Sequence, residues 1–216
     1  MFHQVRRILR PIVHFHTDKE RIKKISFEVN QRFPNLVNEF SANQVVIDLG
    51  ANRGDFSVWA ANHGCKVLAI EPDKTAFNYL IRRIKRFRNI YALNVGVYNQ
   101  NAFIPLYHHS SRSKDPLGHS ISSSINPSKK NVSVNYSEEI FVFKLESILD
   151  NLNVFILKID IEGGEIQLLD TIMKHASKIE YLLMETHEHQ LEYNYSMMQD
   201  FIEKNNLSHK WKLDWI

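Results

Sequence analysis

Val45-Val46-Ile47-Asp48-Leu49-Gly50-Ala51-Asn52-Arg53-Gly54 decides how this chain is read. Its first half is a short β-branched run of the kind a buried strand carries. Its second half places glycines at 50 and 54 and leads into GDFSVWAANHG (54–64), which has helical spacing and a glycine past its end. The pattern then repeats. KVLAIEP (66–72) is a second apolar strand, DKTAFNYLIRRIKRF (73–87) a helix that Asp73 is placed to cap, and NIYALNVGV (89–97) a third strand. Strand, helix, strand, helix, strand predicts an α/β fold with a doubly wound, mostly parallel sheet. The alternation resumes with VFILKIDI (154–161), a helix over 165–179 and the strand YLLMETH (181–187), and the tail adds a last helix and a last strand.

Two stretches depart from that alternation. Residues 1–40 read as a helical segment. Thr17 and Glu20 form a capping box, and Ile22, Ile25, Val29 and Phe33 follow at helical spacing up to Pro34. This divides the chain into an N-terminal segment, 1–40, and a domain over 41–216. Within the domain, residues 101–144 form an insertion. FIPLYHH and EEIFVFKL have the character of a β-hairpin, and the Ser-, Asn-, Lys- and Pro-rich stretch between them (110–137) is expected to be a mobile lid.

Composition narrows the class. With 216 residues, 44% hydrophobic and 24% charged, the chain fits one globular domain. Cys65 is the single cysteine, which excludes an intrachain disulfide framework and any zinc site built on several thiolates. It begins a strand and reads as packing. No apolar run approaches the roughly 18 residues of a membrane span, and the N-terminus lacks the apolar core of a secretory signal. A soluble, cytoplasmic protein is expected. The net charge of +3 is small. Arg6, Arg7 and Arg10, and then Arg82, Arg83, Lys85, Arg86 and Arg88, are either solvated helix faces or patches for an anionic surface. The first cluster would allow peripheral membrane contact. Neither interleaves aromatics as a single-strand nucleic-acid surface does, so nucleic acid is not the expected partner. No feature of the sequence speaks to oligomeric state.

The polar residues at the strand ends carry the chemistry. Ligands of open parallel sheets bind outside the carboxyl ends of the strands. Asp48 leads the first glycine motif, whose spacing is acidic-x-Gly-x-x-x-Gly and not the G-x-G-x-x-G that seats a pyrophosphate. A carboxylate there repels phosphate and attracts a ligand bearing a sulfonium and an ammonium, such as S-adenosylmethionine. Glu71 ends the second strand about 20 residues after Gly50, where an acid accepts both ribose hydroxyls of an adenosine. Asp48, Gly50, Asn52, Gly54, Glu71 and Pro72 are therefore the expected cofactor residues, with Asn94, at the third strand's end, toward the adenine. Lys158, Asp160 and Glu162 alternate along the fourth strand and so share one side. Glu185, His187 and His189 do the same after it. His14, His16, His108 and His109 show no metal-ligand spacing.

The chain resembles the FkbM-type methyltransferases, within the class I S-adenosylmethionine-dependent group. The resemblance runs from about Val45 to His189 and rests on VVIDLGANRGDFS, AIEPDKTAFNYL, NIYALNVGV, LKIDIEGGEIQLL and LMETHEH, with SISSS (120–124) similar to the family's short serine-rich segment. It implies a Rossmann-like class I methyltransferase fold and O-methylation of a hydroxyl on a sugar, glycan, glycolipid or natural product. It places Asp48, Gly50, Gly54 and Glu71 on the cofactor. Gly164 stands where the family often has alanine. Asp160, Glu162, Glu185 and His187 are the candidate catalytic residues. A magnesium ion, if one takes part, would sit on Asp160 and Glu185. The competing readings are a non-catalytic binding module of the same fold and a methyltransferase acting on nucleic acid. The first would be expected to lose Asp48 or Glu71. The second would want an N-P-P-Y-like motif where this chain has I-D-I-E.

Overall fold

The computed structural model describes residues 18–186 and 192–215. Thr17 of the expected capping box, His187, His189 and the first arginine cluster lie outside them. The helix that follows Thr17, α1, covers 18–32 and stops two residues before Pro34, as the proline requires. Its apolar side packs on the domain. Val29, Phe33 and Leu36 are buried, and Phe33 meets Tyr181 edge-on at 5.7 Å.

The main sheet has six strands: β1 (Val45–Leu49), β2 (Lys66–Ile70), β3 (Ile90–Leu93), β7 (Val154–Ile159), β8 (Ile179–Met184) and β9 (Trp211–Leu213). Their order is β3-β2-β1-β7-β8-β9, and every pairing in it is parallel. Helices α1, α2 (Asp55–Asn62) and α3 (Lys74–Ile84) cover one face, with Trp59 and Leu80 in that core. Helices α4 (Leu145–Leu149), α5 (Leu169–Lys174) and α6 (Glu192–Lys204) cover the other, with Leu149, Ile172 and Met198 beneath them. Burial on both faces is why β1 and β7 read as apolar runs, each interrupted by one charged residue, Asp48 and Lys158. Cys65 lies in the first core; burial pushes its thiol up to about 11, so it packs and does not react. Among the described residues no helix is long and apolar enough to cross a membrane.

The structure corrects the expected elements in two places. The run 89–97 is not one strand: β3 ends at Leu93, and β4 (Gly96–Tyr98) leaves for a second sheet of order β4-β6-β5. The expected helix over 165–179 is broken into a 3-10 turn, α5 and a second 3-10 turn. The insertion builds the rest of the second sheet, β5 (Ala102–His109) antiparallel to β6 (Val132–Lys144). Between them the polar stretch folds inward. Ser120, Ser123, Ser124 and Arg112 are buried.

Candidate functional site

Strand order reverses between β1 and β7, so the loops that leave their carboxyl ends diverge and open a crevice. A cavity of about 300 Å³ lies there. Its floor is Gly50 and Asn52 after β1, Glu71 and Pro72 after β2, Asp160, Ile161 and Glu162 after β7, and Glu185 after β8. The small sheet and the insertion supply the remaining wall, through Val97, Leu106, Ile140, Val142, Ser120 and Ser123 among others. The lining thus joins apolar side chains to the acidic residues Glu71, Asp73, Asp160, Glu162 and Glu185.

The loop after β1 is shaped by its backbone. Gly50 (φ +72°), Asn52 (φ +46°) and Gly54 (φ +79°) all adopt the left-handed region. At Gly50 the reason is contact: an added Cβ would stand 1.7 Å from the Asp160 carbonyl oxygen. This close approach joins the two sides of the crevice, and Asp160 N–H donates to Leu49 O at 3.1 Å. Gly54 precedes α2 and lies against Leu80, off the cavity wall.

Glu71 is buried, with its carboxyl in the cavity. Asn52 N–H and Asp73 N–H each donate to one of its oxygens at 2.7 Å. Burial dominates, and its pKa rises to about 8. Asp48 lies deeper and is not on the wall. It is fully buried, accepts from Ser57 Oγ at 2.6 Å and stands 3.2 Å from Lys158 Nζ. Asn94 is also set back. Its side-chain amide donates to the carbonyls of Glu71 and Pro72 at 2.9 Å each, so it fixes the Glu71 turn from behind.

Lys158 is the residue that sequence reasoning passed over. It is the register partner of Asp48 across β1 and β7. Its buried ammonium donates to Gly50 O at 2.9 Å and lies 3.3 Å from Asp160 Oδ2. The neighbouring carboxylates outweigh its desolvation and raise its pKa. The signal was its place in the Lys158-Asp160-Glu162 stripe. Glu162 adopts φ +56°, an uncommon conformation for a side-chain-bearing residue. Ser124 Oγ donates to its carbonyl, and Lys129 pairs with its carboxylate. Glu165, by contrast, accepts from Gly163 N–H at 2.9 Å and is structural.

The insertion is pinned over the cavity at both ends. Beside Glu71, Arg112 grips both oxygens of Asp73, which also caps α3 by accepting from Thr75 and Ala76 N–H. Beside Asp160, Lys129 and Ser124 hold Glu162. Between them Asn52 Nδ2 donates to Ser120 Oγ at 3.3 Å and Arg53 to Leu117 O at 2.9 Å. Asp73, His108 and Glu138 are the one group of three potential metal ligands among the described residues. Arg112 donates to both Asp73 and His108 and is itself the cation there. Asp160 and Glu185 belong to no such group, and the Lys158 ammonium already stands beside Asp160. This donor set does not fit a divalent ion.

A parallel sheet reversed at a switch point, with this cavity over the reversal, is the Rossmann-like fold of a class I methyltransferase. The chain belongs to the family described as the methyltransferase FkbM domain, which it matches over residues 48–206. That family is one of methyltransferases, a class that in general uses S-adenosylmethionine. Among solved structures it is similar to a methyltransferase FkbM from Methylobacillus flagellatus KT, at 17% identity and TM-score 0.50. That match covers 76% of this chain and 38% of the other, so the chain spans well under half of that relative. It is also similar to a precorrin-6y C5,15-methyltransferase from Geobacter metallireducens GS-15 (10% identity, TM-score 0.42, covering 79% of this chain and 68% of that one). A third likeness is to the methyltransferase domain of METTL16 (12% identity, TM-score 0.46, covering 84% and 57%). A search of proteins of curated function finds no match.

Proposed function

We propose that the protein transfers the methyl group of S-adenosylmethionine to a hydroxyl oxygen of a sugar, glycan or natural product. The observation that carries this reading is the lining of the cavity: apolar walls from the small sheet together with acidic residues at the ends of β2, β7 and β8. When bound, S-adenosylmethionine supplies a methyl group on a sulfonium. Glu71 is placed to accept from ribose hydroxyls, and Val97, Leu106, Ile140 and Val142 offer an apolar slot for adenine. Gly50 lets the chain approach without a side chain in the way. At the ends of β7 and β8, Asp160, Glu162 and Glu185 orient an acceptor hydroxyl, and one of them, or His187, takes its proton. Positioning is most of the task, since the leaving group is already good; a base adds on the order of 10²–10⁴-fold. Of the α3 arginines, Arg83 is held in ion pairs with Asp55 and Asp18.

The test is transfer of labelled methyl from S-adenosylmethionine to a panel of glycosides and polyhydroxylated natural products. Labelled methyl ether is the expected product. Asp160→Asn, Glu185→Gln and His187→Ala are to be run beside the wild type, and the base among them should lose about 10²-fold or more in turnover, far more than any change in cofactor affinity. Transfer to an amine or to RNA, and none to hydroxyls, would overturn the acceptor assignment.

Glu71 adds a pH dependence. Its folded pKa is raised, so between about 4.5 and 8 the folded state holds a proton that the unfolded state has lost. Its contribution to stability is therefore full at low pH and is lost as pH rises through about 8. Hydroxyls donating to it favour the ionised form, so ligand binding near neutrality should release a proton. Calorimetry with 5′-methylthioadenosine, which has the ribose but no amino-acid part, should show that release in buffers of differing ionisation heat. Glu71→Gln should abolish it and weaken binding by about 1–3 kcal/mol. Proton release that persists in Glu71→Gln would assign it to another group.

A further inference from the structure

We infer that Lys158 sets the balance between sulfonium and thioether in the cavity: it is a positioning residue whose fixed charge keeps the site from holding the methyl donor too tightly. The inference rests on the cofactor reading above. Asp48, Asp160, Glu162 and Glu185 gather at the ends of β1, β7 and β8. So many carboxylates would bind a sulfonium strongly in the ground state. Transfer then removes the charge they hold. The bond from sulfur to methyl breaks, its electron pair stays on sulfur as a neutral thioether, the oxygen-methyl bond forms, and the hydroxyl proton passes to a carboxylate or His187. A field that favours the cation therefore stabilises the starting state more than the transition state, which slows the step.

Lys158 opposes that field from a place it cannot leave. Its side chain is only 6% exposed. Its ammonium is held by Asp48 at 3.2 Å, Asp160 at 3.3 Å and the Gly50 carbonyl at 2.9 Å. Gly50 and Asp160 both line the cavity, so the charge lies directly beneath its floor. Lys129 also meets a carboxylate, Glu162, but from the roof and on a side chain that is 24% exposed. A lysine needed only to neutralise Asp48 would not have to bridge to the cavity wall. The same three contacts also set the spacing between the Gly50 loop and Asp160.

The experiment measures affinities for S-adenosylmethionine and S-adenosylhomocysteine by calorimetry, using the full chain. The first is a sulfonium and the second the neutral thioether, so their ratio reads the field at sulfur. Lys158→Met should shift the ratio toward the sulfonium by about tenfold, the order of size expected for removing one nearby charge at an effective dielectric near 20 with some screening. Asp160→Asn, which keeps Lys158 and removes a negative charge, should shift it the other way. It serves as the measurement if Lys158→Met does not fold. The double variant should return near the wild-type ratio. A role in folding alone would weaken both ligands alike. An unmoved ratio in Asp160→Asn, or in a folded Lys158→Met, overturns the inference while wild-type binding leaves the cofactor reading standing. A wild-type protein that binds neither ligand overturns both.

Discussion

Gly50→Ala should cost on the order of 3–5 kcal/mol of stability and abolish cofactor binding. A single methyl does this because of what it meets. At φ +72° an alanine carries the left-handed penalty, roughly 1–2 kcal/mol. Its Cβ would also stand 1.7 Å from the Asp160 carbonyl oxygen. That oxygen is backbone, so no rotamer change relieves the contact, and overpacking of this kind adds about 1–3 kcal/mol or more. The chain must open between β1 and β7, where Asp160 N–H is bonded to Leu49 O. Gly164→Ala is the control. Its added Cβ would meet side-chain ends of Ile125 and Ile161 at 3.0 Å, which can yield by tenths of an ångström. Urea unfolding and calorimetry with S-adenosylhomocysteine compare the two. Wild-type stability and binding in Gly50→Ala would show that the strand ends do not approach as described.

The parts of this molecule that depend on local pattern were legible in the sequence. Apolar runs gave β1, β2, β7 and β8, and Asp73 caps α3 as its position suggested. Glu71 and Gly50 reach the cavity because strand ends must. What stayed hidden depends on partners far along the chain. Between Leu93 and Val97 only Asn94 and Gly96 interrupt the apolar run, and the alternation of a single strand accommodates both, so the break between β3 and β4 was not legible. It lies where the Asn94 amide is drawn to the carbonyls of Glu71 and Pro72. The helix after Gly164 fails because His175 turns back to Thr171 O and reaches Asp150. Asp48 looked like a wall residue because its motif places it at a strand end; its ion pair with Lys158 crosses 110 positions of sequence and draws it beneath the floor. The partners of the serine-rich insertion were the least legible. Composition reports polarity, and polar chains usually stay in water. Arg112 and the serines are instead buried because Asp73 and Glu162 supply partners.

That burial gives Arg112→Met the second large effect. Asp73 is 1% exposed and keeps its charge because Arg112 grips both carboxylate oxygens while Ser123 donates at 3.0 Å. Burial works to raise its pKa, but Arg112, the Ala76 N–H and Ser123 together hold it below the ordinary range. A depressed carboxyl contributes stability above its unfolded pKa, and this is lost as pH falls through the folded value. Methionine fills much of the space but supplies no charge. Leaving Asp73 buried and unpaired should cost about 3–5 kcal/mol at neutral pH. The loss should shrink in acid, where the wild type forfeits the same contribution. Arg112→Lys should recover only part, since an ammonium cannot grip both oxygens at once. The roof should loosen with the pair, because Arg112 also donates to Thr75, His108 and Ser123. Trypsin should then cut at Lys114, Lys129 or Lys130 well before the core opens, and S-adenosylhomocysteine should slow that cut. The measurement is the pH dependence of the urea midpoint with timed proteolysis of both variants and the wild type. If Arg112→Met keeps wild-type stability and resists trypsin equally, the Asp73 pair does not hold the insertion down, and the contacts at Glu162 must carry it alone.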